Sequence, residues 1–125
     1  MKRRLSGVCL ITEDVRRLGE FYRAVLDQDG EVDDVYSSFN IDGVVLSMYS
    51  VAGVEAMAPG STVSVGASRT VVEFEVGDVD AEYARLVALG VPIVKPPTTQ
   101  PWGIRSVWFR DPDGNIVNFL ARVVG

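Results

Sequence analysis

The chain has no histidine among its 125 residues. That absence removes Ser-His and Cys-His nucleophile pairs, two-His-one-carboxylate iron sites and His-ligated zinc, each of which needs an imidazole as base or ligand. A single cysteine, Cys9, cannot close an internal disulfide and suits a reducing compartment. With no histidine to activate the thiol, Cys9 reads as a buried, inert side chain rather than a nucleophile. Positive charge is also short, with 12 Lys and Arg against 17 Asp and Glu and a net charge of −5. This is the wrong sign for a protein that neutralises phosphates, so nucleic acid is not an expected partner. The uncharged stretch Gly43 to Val54 is twelve residues long, well under the roughly 18 or more that a membrane-crossing helix needs. The basic start Met1-Lys2-Arg3-Arg4 leads into a stretch that Glu13 and Asp14 soon interrupt, unlike a signal peptide. No membrane partner is expected, and the cytoplasm is the expected location.

What is present suits one globular domain spanning residues 1–125, with 47% apolar, 9% aromatic and 23% charged residues. Leu5 to Thr12 reads as a strand, and Asp14 caps a helix whose Val15, Leu18, Tyr22, Val25 and Leu26 make one apolar stripe. Asp27 to Asp34, with five acids in eight positions, reads as a solvated turn. Strands at Val35 to Asn40 and Val44 to Tyr49 flank an Asp42-Gly43 hairpin signal. Residues 51–68 lack either period and read as a connecting loop. Thr70 to Val76 is a further strand, and Asp78 caps a second helix ending near Gly90. Pro92 to Lys95 reads as a short edge strand, Pro96 to Trp102 as a rigid loop, and Ile104 to Arg110 and Asn115 to Val123 as two last strands.

The plan repeats. Asp14-Val15 and Asp78-Val79 open helices 64 residues apart, and Asp42-Gly43 and Asp113-Gly114 turn into closing strands 71 residues apart. The chain is therefore expected to be α+β, built from two tandem modules of strand, helix and three strands. Module one spans residues 5–50 and module two spans 69–125. Each module's single helix covers one sheet face, leaving the other for a ligand or a partner.

Asp14-Val15 followed by Phe21-Tyr22 and Val25-Leu26, the segment Val72 to Val76-Gly77-Asp78-Val79-Asp80, Pro101-Trp102-Gly103 and Asp111-Pro112-Asp113-Gly114-Asn115 together resemble the glyoxalase, bleomycin-resistance and dioxygenase superfamily, also called vicinal oxygen chelate proteins. The likeness covers nearly the whole chain. It implies βαβββ modules whose mixed and antiparallel sheets curl into a cup with helices outside, commonly in a homodimer. Metal-using members hold a divalent ion through one residue of the first and one of the last strand of each module. Carried over, these positions are Gly7, Ser47, Val71 and Asn118, where the last usually is Glu. Two lack a donor and two are neutral, whereas a hard cation wants several oxygens with charge among them. No metal and no other cofactor is therefore expected. The family usually has Gly after the first helix, where this chain has Asp27.

Alternation puts Glu73 on the face of Val71, toward the expected cup, with Val72 and Phe74 toward the helix. A carboxylate there suits a general base, a lone metal anchor or a counter-ion to a cationic ligand; the alternative is a Glu hydrogen-bonded to its neighbours or paired with Arg105, without a task. Phe39, Tyr49, Trp102 and Trp108 lie on cup or mouth elements, where flat rings stack on planar or cationic ligands. Only one of Trp108 and its neighbour Phe109 can face the cup. Arg69 and Arg105 are candidate holders of an anion, with a surface ion pair as the bland reading. Asp111 to Asn115 begins like a calcium loop but has Ile116 and Arg122 where Gly and Glu belong, so it reads as a turn. The candidate ligand-binding residues are Cys9, Phe39, Ser47, Tyr49, Val71, Glu73, Trp102, Trp108 and Asn118. The expected function is metal-independent binding or sequestration of a small aromatic or cationic molecule, like the bleomycin-resistance branch, in a dimeric cup. The alternative is a lyase, isomerase or dioxygenase-like enzyme with Glu73 as catalytic base or atypical metal ligand.

Overall fold

The structure is a computed structural model and describes residues 3–63, 66 and 70–123. The elements run β1 (Gly7–Thr12), α1 (Val15–Leu26), β2 (Tyr36–Ile41), β3 (Val44–Ser50), α2 (Val51–Met57), β4 (Val71–Glu75), α3 (Val79–Ala88), β5 (Ile93–Thr99), β6 (Ile104–Arg110) and β7 (Ile116–Arg122). They group into two compact units, Met1–Ala67 and Ser68–Gly125.

In the first unit the sheet order is β1-β3-β2, with β1 parallel to β3 and β2 antiparallel to it. Parallel pairing requires a crossover, which α1 provides. The Asp14 carboxylate accepts a hydrogen bond from the Arg17 amide at 3.1 Å, capping the helix as its sequence predicts. Val15, Leu18, Tyr22 and Val25 are buried, as are Leu10, Phe39, Leu46 and Met48 from the strands. Asp42 and Gly43, at φ 50° and 90°, make the two-residue turn between β2 and β3. Positive φ at both central positions matches the right-handed twist of a hairpin.

The acidic segment was expected to be a solvated turn. It contributes only a bridge, in which Glu31 and Ser38 exchange amide bonds of 3.0 and 2.8 Å. Five acids in eight residues leave no apolar side to bury, so pairing stops after one step. Helix α1 ends on Asp27 in the left-handed region, φ 49° and ψ 49°, with its amide bonded to Ala24 and Arg23 carbonyls. Asp occupies the conformation that glycine commonly supplies at a helix end.

The expected loop at 51–68 contains α2. Ser50 caps it by accepting from the Gly53 amide at 2.9 Å, and Glu55 accepts from the Gly60 amide and the Thr62 hydroxyl. The Thr62 hydroxyl, followed by the Gly60 amide, holds the Glu55 carboxyl below its ordinary range. Seven residues with none buried are too few to display a helical period, which is why the sequence hid this element.

The second unit has the order β4-β7-β6-β5, with β4 parallel to β7 and the remaining pairs antiparallel. Asp78 caps α3 by accepting from the Ala81 amide at 3.0 Å. Val107 and Phe109 of β6 and Val117 and Phe119 of β7 are fully or almost fully buried with Val79 and Leu86 of α3. Phe119 meets Phe109 and Phe74 edge to face at 4.9 and 5.7 Å between ring centres, a geometry that aligns the positive ring edge with a negative face. Phe109 is thus the core member of the Trp108-Phe109 pair. Strand β5 is longer than expected: it runs on through Pro96 and Pro97, with shifts of register between Ile93 and Lys95 and between Lys95 and Thr98. Proline is tolerated because β5 is an edge strand. Arg105 makes a forked pair with Asp80, 2.7 and 2.9 Å, tying β6 to the first turn of α3. The hydrogen bond from Arg105 holds the Asp80 carboxyl below its ordinary value, and Asp80 in turn raises the Arg105 guanidinium. Among the described residues no helix is long and apolar enough to cross a membrane.

Two outcomes are expected. Asp27→Gly removes a left-handed strain of roughly 1–2 kcal/mol and adds unfolded-chain entropy, so urea denaturation should show a net gain of about 0.5–1 kcal/mol. The Asp80 carboxyl, being lowered by folding, contributes stability that is fully present above the ordinary aspartate value of about 3.9 and is lost as pH falls through its lower folded value. Urea midpoints measured from about pH 5 down to about pH 2 should therefore fall more steeply for the natural protein than for Asp80→Asn.

Candidate functional site

Strand alternation in the second unit turns Val72, Phe74, Val107, Phe109, Val117 and Phe119 to one side and leaves the other side for Glu73, Asn118 and Trp108. The pairing register aligns these residues. Glu73 on β4 stands opposite Asn118 on β7, Asn118 opposite Trp108 on β6, and Trp108 opposite Lys95 on β5. One row of side chains therefore crosses all four strands. It forms the floor of a concavity of about 280 Å³, joined by Ile104, Ser106 and Leu120 from β6 and β7 and by Gln100 and Trp102 at the end of β5. That volume is near the lower end of small-molecule sites, which run from roughly 300 Å³ upward.

Trp102 is placed by a tight connection. The Gln100 amide donates to the Ile104 carbonyl at 2.8 Å and the Gly103 amide donates to the Gln100 carbonyl at 3.0 Å, with Gly103 at φ 83°. Pro101 presets the first corner, and glycine closes the loop at a positive φ that it adopts without steric cost. The indole that results is 72% exposed although it lines the concavity. So large an uncovered ring at a pocket mouth is available to a ligand face.

The polar centre is the Glu73–Asn118 pair. The Asn118 amide nitrogen donates to Glu73 Oε2 at 2.9 Å. Asn118 is 5% exposed, and its Oδ1 is buried with no hydrogen-bond partner among the described residues. The amide cannot simply turn round, because its oxygen would then face the carboxylate. An orphaned buried acceptor costs about 1–3 kcal/mol, so a donor reaching Oδ1 gains that much. Glu73 itself is an exposed residue with one carboxylate oxygen beyond this bond. Of the two forms of the task-free reading, the hydrogen bond to a neighbour is present, in Asn118, and the Glu73–Arg105 pair does not form, since Arg105 lies on the helix side with Asp80 and Thr99.

The other sequence candidates are distributed as follows. Val71 is 45% exposed at the start of β4, on the Glu73 side. In the first unit Cys9 lies beside the buried Ser47, and Tyr49 packs edge to face on Tyr36 at 5.6 Å. Cys9 is exposed rather than buried, because it stands on the strand side away from α1. Phe39 is corrected from ligand contact to core: it pairs with Leu46, is 1% exposed, and a Cβ on Gly30 would run into its ring. The alternation Ser38-Phe39-Asn40 carried that signal, since only one side of β2 can face the helix. Arg69 lies outside the described residues.

Lys95, Gln100, Ile104, Ser106 and Leu120 were not among the sequence candidates. The Ile104-Ser106-Trp108 alternation would have shown two of them. Lys95 was hidden, because register shifts on both sides of it break the period of two.

A divalent metal, which the family likeness raises, does not fit the donors present. Gly7 has no side chain, and a Cβ there would come within 2.7 Å of the Val45 carbonyl oxygen. Val71 is apolar and Ser47 is neutral, which leaves the neutral Asn118 Oδ1 and the one free oxygen of Glu73, too few donors for a hard cation. Among the described residues no three His, Cys, Asp or Glu side chains converge. The Asp111 turn offers nothing either. Its carboxylate accepts from the Asp113 and Asn115 amides, both at 2.9 Å, and from the Asn115 side chain at 2.7 Å.

No protein of curated function matches the chain. Among solved structures, a glyoxalase/bleomycin resistance protein/dioxygenase from Nocardioides is 24% identical with a TM-score of 0.84, covering 100% of this chain and 87% of that one. A lactoylglutathione lyase from Agrobacterium tumefaciens is 20% identical, TM-score 0.78, covering 96% and 94%. TioX from Micromonospora sp. ML1 is 22% identical, TM-score 0.72, covering 94% and 97%. These likenesses bear on the fold alone. A family model matches residues 4–119, and with the strand-helix plan repeated in two units, the chain belongs to the Glyoxalase/Bleomycin resistance protein/Dioxygenase superfamily.

Proposed function

We propose that this protein binds and sequesters a small aromatic or cationic molecule without a metal, acting as a cytoplasmic homodimer. The observation that carries the reading is the concavity of the second unit, where the unpartnered Asn118 Oδ1 and the Glu73 carboxylate lie on a floor shared with Trp108 and beneath an exposed Trp102. Two acceptors side by side favour an N–H donor, most of all a charged one, because a charge-assisted hydrogen bond is stronger than a neutral one. Two indoles supply faces for a flat ring or a cation. The scarcity of donors at Gly7, Ser47, Val71 and Asn118 supports metal independence. The name of TioX, or of a lyase, belongs to those proteins; the family likeness supports a dimer and a small-molecule ligand. A second reading, proton abstraction by Glu73, is favoured by the hydrogen bond from Asn118, which fixes one carboxylate oxygen and leaves the other toward the concavity.

The test is a thermal-shift screen of aromatic amines, antibiotics and aromatic metabolites on protein dialysed against a chelator. Stabilisation by aromatic amines that survives the chelator is expected, and its loss on chelation would refute metal independence. For a cationic hit, Glu73→Gln and Trp102→Ala should each weaken calorimetric affinity about tenfold with little change in melting temperature. If Glu73→Gln abolishes turnover of a hit while affinity holds, the enzyme reading replaces sequestration. Light scattering should report a mass of two chains.

A further inference from the structure

The row that crosses the second sheet is polar at both ends. It begins with Glu73 on the edge strand β4 and ends with Lys95 on the opposite edge strand β5, with Asn118 and Trp108 between them. Adjacent strands are about 4.8 Å apart, so three steps separate the two backbones by about 14 Å. Both side chains line the same concavity. Among the described residues Glu73 bonds only to the neutral Asn118, and Lys95 has neither an ion pair nor a hydrogen bond. Elsewhere in the unit, Arg105 pairs with Asp80 and Arg85 with Glu82. Neither charge of the concavity has an ion-pair partner among the described residues.

We infer that the ligand of this concavity is dipolar, with a cationic N–H-bearing end over Glu73 and Asn118, an anionic end at Lys95, and a flat one- or two-ring body between them on Trp108. This inference rests on the binding role proposed above and narrows its ligand class. A simple cation would satisfy Glu73 but bring no partner to Lys95; a simple anion would meet Lys95 and leave Asn118 Oδ1 without a donor. Only a molecule carrying both groups at opposite ends gives each charge and the orphaned acceptor a partner. The concavity of about 280 Å³ limits the body to roughly two fused rings.

Three probes sharing one ring system separate the possibilities by calorimetry: 6-(aminomethyl)-2-naphthoate, which carries both charges, 2-(aminomethyl)naphthalene, a cation, and 2-naphthoate, an anion. The dipolar probe is expected to bind at least about tenfold tighter than either of the others. Lys95→Met should bring the dipolar probe down to the affinity of the cation and leave the cation unchanged, and Lys95→Glu should tighten the cation. Lys95 is half-buried on an edge strand, so these variants should keep the natural melting temperature. If the cation equals the dipolar probe and neither responds to Lys95→Met, the dipolar ligand is refuted while aromatic cation binding stands. If the anion equals or exceeds the dipolar probe, the dipolar ligand is refuted as well. If none of the three binds, the binding role of the concavity falls together with the inference.

Discussion

In each unit the first strand lies parallel to the last, β1 beside β3 and β4 beside β7, and the division of each sheet into a packed and an open side follows from that pairing. A parallel neighbour cannot be reached by a hairpin, so a helix must cross over, and the helix claims one side of the sheet for the core. Because side chains alternate, the same constraint exposes the other side. In the second unit the packed side carries Phe74, Phe109 and Phe119, while the open side carries Glu73, Trp108 and Asn118. Core and site are interleaved residue by residue along the same strands.

The pairing also explains why Glu73 meets Asn118 although 45 residues separate them. The equivalent position in the first unit is occupied by Cys9 beside Ser47, small side chains without formal charge as a carboxylate has. Two copies of one backbone plan thus present different chemistry. The first has polar groups of short reach; the second has a carboxylate, an amide with an unmet acceptor, and two indoles. Gly7, Ser47, Val71 and Asn118 carry no charged side chain, and at Gly7 the close approach of the Val45 carbonyl leaves no space for one.

Helices capped by Asp14 and Asp78, the Asp42-Gly43 turn and the β6 strand were legible because each is written in adjacent residues with a mechanism of its own. Short or irregular elements were not. Helix α2 has no buried stripe, the acidic segment forms a single bridge, and β5 passes through two prolines with its register displaced. The same division holds in the site. Glu73, Trp102, Trp108 and Asn118 could be placed by counting along regular strands and a proline-bounded turn. Phe39 was misassigned by its element alone, and Lys95 was hidden by the bulges that flank it.

Composition and periodicity by themselves determined an α+β chain of two repeated modules, without the imidazoles of many catalytic sites, since these depend on residue identity and local spacing. Tertiary structure alone decided that Arg105 turns to Asp80 rather than Glu73, that Asn118 keeps an oxygen without a partner, and that Lys95 ends the row Glu73 begins. Those outcomes depend on cross-strand register and on competition between partners distant in sequence, which no local pattern encodes.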